Sequence, residues 1–249
     1  MKYFLSALLI VAAGLAFADD FDATEAKLKT AMAADIRTDA EKERDRNRRP
    51  IQTLEFFGLR DDMKIVELLP GGGWYTKLLV PVVADNGEYY AAFGTGRVSE
   101  RLVPEPGFED MQVIATDAKV YRKEGAPTYT LETDGLGVTD VDMVLTFRNY
   151  HNFGAEGRAA MNKAAFDALK SGGVYAVVDH TRRHMEADYS ENRRRLDPVL
   201  AIHEIEAAGF KFADFSDLHF RPDDELRHEV GRKTVTGNTD RWTLKFVKP

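Results

Sequence analysis

"IVELLPGGGWYT", residues 65 to 76, joins an apolar run that contains an acid to three consecutive glycines. Glycines tolerate positive φ and let a ligand approach the backbone closely. From Met63 onward, predicted strands alternate with predicted helices, which indicates a parallel sheet. Ligands of open α/β folds bind at the carboxyl ends of such strands. The glycine turn is therefore either a ligand cradle or only a sharp bend between a strand and a helix.

Seven segments have the composition of strands. The predicted strands are residues 64–69, 88–93, 111–116, 141–147, 174–179, 210–215 and 241–247. Helices are predicted over residues 74–85, over Ala155 to Lys170 ahead of Gly172-Gly173, and from the cap Asp197-Pro198 to Gly209. The last two strands follow one another without a strong helix between them, so we expect one of them to run antiparallel.

The amino terminus has the pattern of a secretory signal peptide. Met1-Lys2 is positively charged, residues 4–15 are apolar, and Ala16-Phe17-Ala18 is a small-x-small cleavage site. The apolar run is shorter than the roughly 20 residues of a spanning helix. We therefore expect residues 1–18 to be removed, leaving a periplasmic or secreted protein with no membrane attachment. Residues 19–249 are predicted to form a single domain, in which residues 19–60 are a helical extension.

Composition excludes several classes of function. The chain of 249 residues has 34 Lys and Arg against 41 Asp and Glu, a formal net charge of −7. Such a chain lacks the basic footprint of a nucleic-acid binder, so we expect a small-molecule substrate and no nucleic acid. The absence of cysteine excludes disulfides, thiolate catalysis and zinc–sulfur sites. The oligomeric state is left open.

The extension carries two possible capping boxes, Asp22-x-x-Glu25 and Thr38-x-x-Glu41, each predicted to begin a short helix. The second helix is predicted to continue through "AEKERDRNRRP" and to stop before Pro50. Mixed charge of this kind is typical of a solvated helix face. The alternative is a lid whose arginines, Arg46, Arg48 and Arg49, approach an anionic ligand.

Three ligand chemistries use a glycine turn of this kind. A P-loop needs a Lys followed by Ser or Thr at a fixed offset, which is absent here. A dinucleotide fingerprint needs a Gly or Ala where this chain has Thr76. The S-adenosylmethionine pattern E-x-G-x-G-x-G is matched at three of its four positions, by Glu67, Gly71 and Gly73, with Leu69 replacing the first glycine. The third chemistry is favoured over a purely structural turn.

Other segments resemble the class I S-adenosylmethionine-dependent methyltransferases. "LKSGGVYAVVD" (169–179) is similar to the strand that follows their fourth helix, and "VDMVLTFRNYHN" (141–152) resembles their fourth strand and active-site loop. With "IEAAGFK" (205–211) and "DRWTLKFVKP" (240–249), nearly all of residues 45–249 resembles a family of exported, mostly uncharacterised methyltransferases of Gram-negative bacteria. The resemblance implies a Rossmann-like α/β sandwich with a mostly parallel seven-stranded sheet, an antiparallel strand near the C-terminus and N-terminal helices.

The resemblance also implies a cofactor, S-adenosylmethionine, and a site for it. The residues assigned to that site are Glu67, Gly71, Gly72, Gly73, Trp74, Phe93 and Asp117. Glu67 is expected to anchor the turn, and Trp74 either covers the cofactor or belongs to the core. Phe93 stands near the end of the second strand, where class I enzymes usually carry an acid that binds the ribose hydroxyls.

Candidate catalytic residues follow the fourth and fifth strands. His151 is the candidate base, since a positioned imidazole can accept a proton near neutral pH. Asn149 or Tyr150 is expected to orient the methyl acceptor, and Asp179 or His180 to orient His151 or bind the acceptor. The alternative for His151 is a hydrogen bond within its own loop.

Three hypotheses of function remain. The first is an S-adenosylmethionine-dependent methyltransferase that acts on an unidentified small molecule. The second, motivated by Phe93, is a non-catalytic binding protein on a degenerate methyltransferase fold. The third is a metal-binding protein built on His151, Asp179 and His180, with His184 nearby.

The signal-peptide pattern yields a direct test. We expect the mature protein isolated from its native host to begin at Asp19, because cleavage follows the small-x-small site. Intact-mass measurement reads the terminus, and protein that retains Met1 would contradict the expectation.

Overall fold

The computed structural model describes residues 19–249, so the predicted signal peptide lies outside the described residues. The helices are α1 Asp19–Ala33, α2 Asp39–Glu43, α3 Asp45–Arg48, α4 Pro50–Phe57, α5 Thr76–Val83, α6 Gly96–Leu102, α7 Ala155–Ala168 and α8 Pro198–Ala207. The strands are β1 Lys64–Leu68, β2 Glu88–Ala92, β3 Gln112–Ile114, β4 Lys119–Tyr121, β5 Thr130–Glu132, β6 Val141–Phe147, β7 Leu169–His180, β8 Lys211–Ser216 and β9 Arg241–Val247.

Seven strands form one sheet in the order β3-β2-β1-β6-β7-β9-β8. β9 pairs antiparallel with both of its neighbours, β7 and β8. The other four pairings, β3 with β2, β2 with β1, β1 with β6 and β6 with β7, are parallel. The predicted fold class, a mostly parallel seven-stranded sheet with an antiparallel strand near the C-terminus, is confirmed. β4 and β5 form a separate two-stranded hairpin that the sequence analysis does not predict.

The central strands are buried on both faces, which explains their continuous apolar character. In β1, Ile65 packs into the core layer that contains α5, and Val66 packs into the opposite layer that contains α7 and α8. Both side chains have no solvent exposure. Because the two layers cover the sheet, polar groups of the central strands can reach a ligand only at the strand ends.

The boundary between α7 and β7 differs from the prediction. The helix ends at Ala168 rather than near Lys170, and the strand begins at Leu169, five residues before the predicted start. The Lys248 ammonium explains the early end, because it donates to the carbonyl oxygens of Phe166 and Leu169, each at 2.7 Å. The backbone of Gly172 then pairs with that of Lys248 at 2.8 Å.

In the extension, the first helix is longer than the predicted short helix, with 15 residues, and the second predicted helix is divided into α2 and α3. Thr38 and Glu41 make the predicted capping box at the start of α2. Asp22 does not cap a helix, since α1 already begins at Asp19. The charged run is broken twice, at Arg44 between α2 and α3 and at Arg49, whose φ of 41° is left-handed.

The extension docks on the helix that follows the glycine turn. The Lys77 ammonium donates to the Glu41 carboxylate at 2.9 Å and to the Ile36 carbonyl oxygen at 2.9 Å. The Trp74 indole donates to the Glu41 carbonyl oxygen at 3.0 Å. These contacts place α2 and α3 over the carboxyl edge of the sheet.

Across residues 19–249, none of the helices combines the length and the apolar composition that crossing a membrane requires.

Candidate active site

The strand order reverses between β1 and β6, and a crevice opens where the chain leaves these strands. The residues that immediately follow β1, β2 and β6 are Leu69, Phe93 and Arg148, and all three have left-handed φ values of 55°, 62° and 60°. Such conformations are uncommon for residues other than glycine and concentrate at functional sites. The Asn149 amide donates to the Leu69 carbonyl oxygen at 2.9 Å and so ties the two loops together. Open α/β folds bind ligands at such a switch point.

A first cavity of about 350 Å³ lies against the glycine turn. We call it the glycine cavity, and its lining includes Glu67, Leu69, Gly71, Gly72, Tyr75 and Arg101. Gly71 has a φ of 61°, and a Cβ added there would meet nothing closer than the Leu69 carbonyl oxygen at 4.0 Å. The backbone of the turn is therefore open to a ligand on this side.

Gly73 has a different role within the turn. It does not line the glycine cavity, and a Cβ added to it would lie 2.7 Å from Leu102 Cδ1 and 3.1 Å from Val98 Cγ2. Its φ of 82° also disfavours any side chain. The close packing of α6 against the turn therefore accounts for a glycine at position 73.

Glu67 lies at the inner wall of the glycine cavity and is buried. The Tyr89 hydroxyl and the Thr76 hydroxyl both donate to its Oε2, at 2.6 Å and 2.7 Å. Burial raises the pKa of Glu67 to about 7 in spite of these hydrogen bonds. The two bonds fix the carboxylate against the turn, as expected of an anchor, and its other oxygen makes no hydrogen bond within residues 19–249.

Trp74 is mostly buried beneath arginine side chains. The Arg48 guanidinium lies 4.1 Å and the Arg37 guanidinium 5.0 Å from the centre of its ring. Trp74 also lines the glycine cavity, so it is at once a core residue and part of the wall. Tyr75 stacks on Phe147 with ring centres 3.6 Å apart and completes that wall.

Phe93 and Asp117 lie outside the glycine cavity. Phe93 is 1% exposed and packs in the core layer on the α7 side of the sheet. Asp117 is exposed, beyond the end of β3. Phe93 directly follows β2 and stands beside the turn, since the Leu69 N–H donates to the Ala92 carbonyl oxygen at 2.8 Å, but neither Phe93 nor Asp117 contributes to the wall of the cavity.

His151 and Asp179 form a hydrogen-bonded pair. His151 Nδ1 is 2.5 Å from Asp179 Oδ1, and the His151 backbone N–H donates to Oδ2 at 2.8 Å. A carboxylate can only accept, so Nδ1 carries a proton, and in the neutral ring Nε2 is then the acceptor nitrogen. Within the described residues Nε2 has no hydrogen-bond partner. This is the arrangement in which a carboxylate orients a histidine base.

A second cavity of about 940 Å³ adjoins the first, and we call it the histidine cavity. His151 and His180 line it together with residues of α2–α3 and of the segment 230–241. His180 Nδ1 is 3.0 Å from the Thr239 hydroxyl oxygen. Burial, and next the neighbouring His151, hold the pKa of His180 well below its usual range, so its ring is neutral at pH 7.

Tyr150 is directed away from both cavities. Its hydroxyl accepts a hydrogen bond from Asn162 at 2.7 Å and donates to the Glu204 carboxylate at 3.3 Å. Asn149 lines the glycine cavity and joins its two loops. Of the five predicted catalytic residues, the structure therefore brings His151, Asp179 and His180 together, places Asn149 nearby, and directs Tyr150 toward α7 and α8.

Two arginines at the site were missed by the sequence analysis. Arg148 follows β6 and lines both cavities, and Arg241 begins β9 and lines the histidine cavity. The signal for Arg148 was its position directly after a predicted strand. Arg241 could have been found from the predicted antiparallel strand, since such a strand starts at the edge where the parallel strands end.

The His and Asp residues do not form a metal centre. The Asp179 oxygens are occupied by three N–H groups, and His184 pairs instead with Asp197 at 2.9 Å. Throughout residues 19–249, no group of three or more His, Cys, Asp or Glu side chains is arranged to hold a metal ion.

Several proteins of known structure have a fold similar to this one. A methyltransferase from Aquifex aeolicus that depends on S-adenosylmethionine matches with a TM-score of 0.56 and 14% identity, over 90% of this chain and 98% of that one. Magnesium protoporphyrin IX methyltransferase from Synechocystis, solved with bound S-adenosylmethionine, matches at 0.50 and 10%, over 93% and 94%. The fold is that of a class I methyltransferase. The [4+2]-cyclase SpnF also matches, at 0.53 and 15% over 92% and 93%, so this fold also carries other reactions.

Comparison by sequence adds nothing to the comparison by structure, because neither a protein-family model nor a curated protein matches this chain.

The raised pKa of Glu67 has a consequence for stability. A folded-state pKa of about 7, above the ordinary value of 4.5, means that the ionised carboxylate destabilises the fold. The cost is absent below pH 4.5, grows between the two values and is complete above pH 7. At about 1.4 kcal/mol for each pKa unit, it is on the order of 3 kcal/mol.

We therefore expect Glu67→Gln to raise the free energy of unfolding at about pH 9 and to leave it nearly unchanged at about pH 5. Glutamine keeps an oxygen that can accept from Tyr89 and Thr76, so the hydrogen bonds need not be lost. Chemical denaturation at both pH values measures the difference. Glu55→Gln, at an exposed carboxylate, is the control. An equal response of the two variants would contradict the assignment.

Proposed function

We propose that this protein is an exported S-adenosylmethionine-dependent methyltransferase that acts on a small molecule. The observation that carries the proposal is the pairing of two adjacent cavities at one switch point. One cavity lies against an open glycine turn, and the other is lined by a histidine whose orientation a buried aspartate fixes. Export rests on the amino-terminal pattern and on the resemblance of residues 45–249 to an exported family.

The glycine cavity fits the cofactor at some of the expected positions. Gly71 and Gly72 would offer their backbone to it, and the Glu67 carboxylate lies beside them. Gly73 would act through the packing of α6, and Phe93 provides no carboxylate for a ribose. When bound, the cofactor supplies an electrophilic methyl group on a sulfonium. The remaining requirements are met by the chain itself, which must hold the acceptor and take up its proton.

His151 is suited to take up that proton. Its Nε2 is the acceptor nitrogen, and the ring lines the cavity that we assign to the methyl acceptor. Asp179 holds the ring in one tautomer and stabilises the positive charge that the imidazole gains. Positioning of the acceptor supplies a further part of the rate, because a held nucleophile reacts as if at very high concentration.

Cofactor binding tests the first half of the proposal. We expect calorimetry to detect binding of S-adenosylmethionine and S-adenosylhomocysteine, and Gly72→Leu to weaken both at least tenfold, or about 1.4 kcal/mol. Gly72 is the suitable position because its φ is not positive and a Cβ there would lie 3.6 Å from the Arg101 guanidinium, inside the cavity.

Gly96→Leu is the matched control, since Gly96 is exposed and a Cβ added to it would meet nothing within 4 Å. Equal losses of affinity in the two variants would indicate that the cofactor site lies outside the glycine cavity. No binding to the wild-type protein at millimolar ligand would favour the alternative of a non-catalytic binding protein.

His151→Ala tests the second half. We expect turnover to fall by about 10²–10⁴ while cofactor affinity is unchanged, because a positioned base acts on the chemical step. Transfer of label from S-adenosylmethionine into host metabolite fractions gives the rate, and calorimetry gives the affinity. His203→Ala, at an exposed histidine of α8, is the control. A parallel loss of affinity and turnover in His151→Ala would instead assign His151 to the scaffold.

A further inference from the structure

Apart from the exposed Arg44, three arginines at the junction of the two cavities lack carboxylate ion-pair partners. They are Arg48, Arg148 and Arg241, from α3, the loop after β6 and the start of β9. Arg48 and Arg148 line both cavities, and Arg241 lines only the histidine cavity. Among the ion pairs within residues 19–249, none involves any of the three.

The other buried arginines of this chain are neutralised. Arg195 is paired with Asp224 at 2.9 Å, with both side chains almost fully buried. Arg158 is paired with Glu204 at 2.6 Å. Since the fold supplies carboxylates for buried guanidinium groups elsewhere, the lack of partners at the junction is a local property of the site.

The donors of the cluster are also incompletely used. Arg48 is 4% exposed, and its Nε is buried with no hydrogen-bond partner among the described residues. Arg241 is 7% exposed and donates to the carbonyl oxygens of Asn47 and Gly237, but its Nε is likewise unsatisfied. A buried charge without a partner is costly, by several kcal/mol in general.

The three positive charges also oppose one another. Burial, and next the charge of Arg148, lower the pKa of Arg48. Burial, and next the charge of Arg241, lower the pKa of Arg148. The carboxylate in the lining of the histidine cavity is Glu43, whose exposed side chain pairs with Arg46. The carboxylates near the cluster are bound by other groups: Glu41 by Lys77, Glu67 by the hydroxyls of Tyr89 and Thr76, and Asp179 by three N–H groups. An anion bound among the three arginines would relieve this repulsion.

We infer that the methyl acceptor carries an oxyanion, a carboxylate or a phosphate, that binds among Arg48, Arg148 and Arg241 while the group to be methylated faces His151. Guanidinium groups match both oxyanions, because their planar donors bind two oxygens at once. The size of the histidine cavity, about 940 Å³, leaves room for the body of a small molecule beyond the oxyanion. That the bound molecule is the methyl acceptor rests on the proposed function, but the anion site itself does not.

Inorganic phosphate and acetate serve as probes of the site. Each is titrated into the purified protein at constant ionic strength and followed by chemical-shift changes of the arginine Nε–H and backbone amide signals. We expect one probe to bind in the millimolar range or tighter, and Arg241→Gln to weaken it at least tenfold. Arg148→Gln, whose side chain makes no hydrogen bond within residues 19–249, should give the same loss with less disturbance of the fold. The tighter probe identifies the oxyanion.

Arg49→Gln is the charge-matched control, since Arg49 is exposed and lies outside both cavities. An equal loss in Arg49→Gln and Arg241→Gln would reduce the effect to diffuse attraction and overturn the inference, as would the absence of binding by both probes.

Calorimetry with S-adenosylmethionine on the same variants separates the acceptor from the cofactor. We expect its affinity to change less than twofold in Arg241→Gln. If that variant weakens cofactor and probe equally, the cluster holds the carboxylate of the cofactor, and the inference is wrong. If the probes bind to the wild-type protein and S-adenosylmethionine does not, the anion site stands and the proposed function fails.

Discussion

The buried carboxylate of Asp179 determines the geometry of the site. It has no solvent exposure and accepts hydrogen bonds from the His151 backbone at 2.8 Å, the His151 ring at 2.5 Å and the His180 backbone at 2.6 Å. A carboxylate can be buried at moderate cost only when its oxygens are satisfied in this way. Because the donors belong to the end of β7 and to the turn after β6, one side chain joins two strands and orients the imidazole. The floor of the histidine cavity depends on this contact.

The site also depends on the N-terminal extension, because residues of the extension line both cavities. Arg48 lies over Trp74, and its carbonyl oxygen accepts from His219 at 3.0 Å and from Thr53 at 3.0 Å. The backbone of α3 is thus fixed by buried partners while its arginine side chain is left without a counterion. Stability gained in one part of the extension offsets the cost of an uncompensated charge in another, which is common where a fold is adapted to bind a ligand.

The sequence predicts most of the fold because strand position follows from local apolar runs. β6 and β9 have the predicted boundaries, and Thr38 caps α2 as predicted. The end of α7 could not be predicted, since it depends on Lys248, some eighty positions away along the chain. The same distinction applies to the site. The positions of His151 and Asp179 follow from strand ends, but the direction of Tyr150 and the packing of Gly73 against α6 depend on partners that only the folded chain brings together.

Charge is distributed so that the anion site and the proton acceptor are separate groups. The whole chain has a net charge of −7, yet the junction of the cavities is positive, so a small anion is attracted at short range rather than by the protein as a whole. His180 is held neutral, and at neutral pH the positive charge there is carried by the guanidinium groups of Arg148 and Arg241, whose pKa values burial lowers only to about 10. Protonation of His151 is disfavoured by the charge of these arginines and favoured by the Asp179 carboxylate. An oxyanion among the arginines would offset their charge, so an acceptor that fills the anion site would also favour proton transfer to His151.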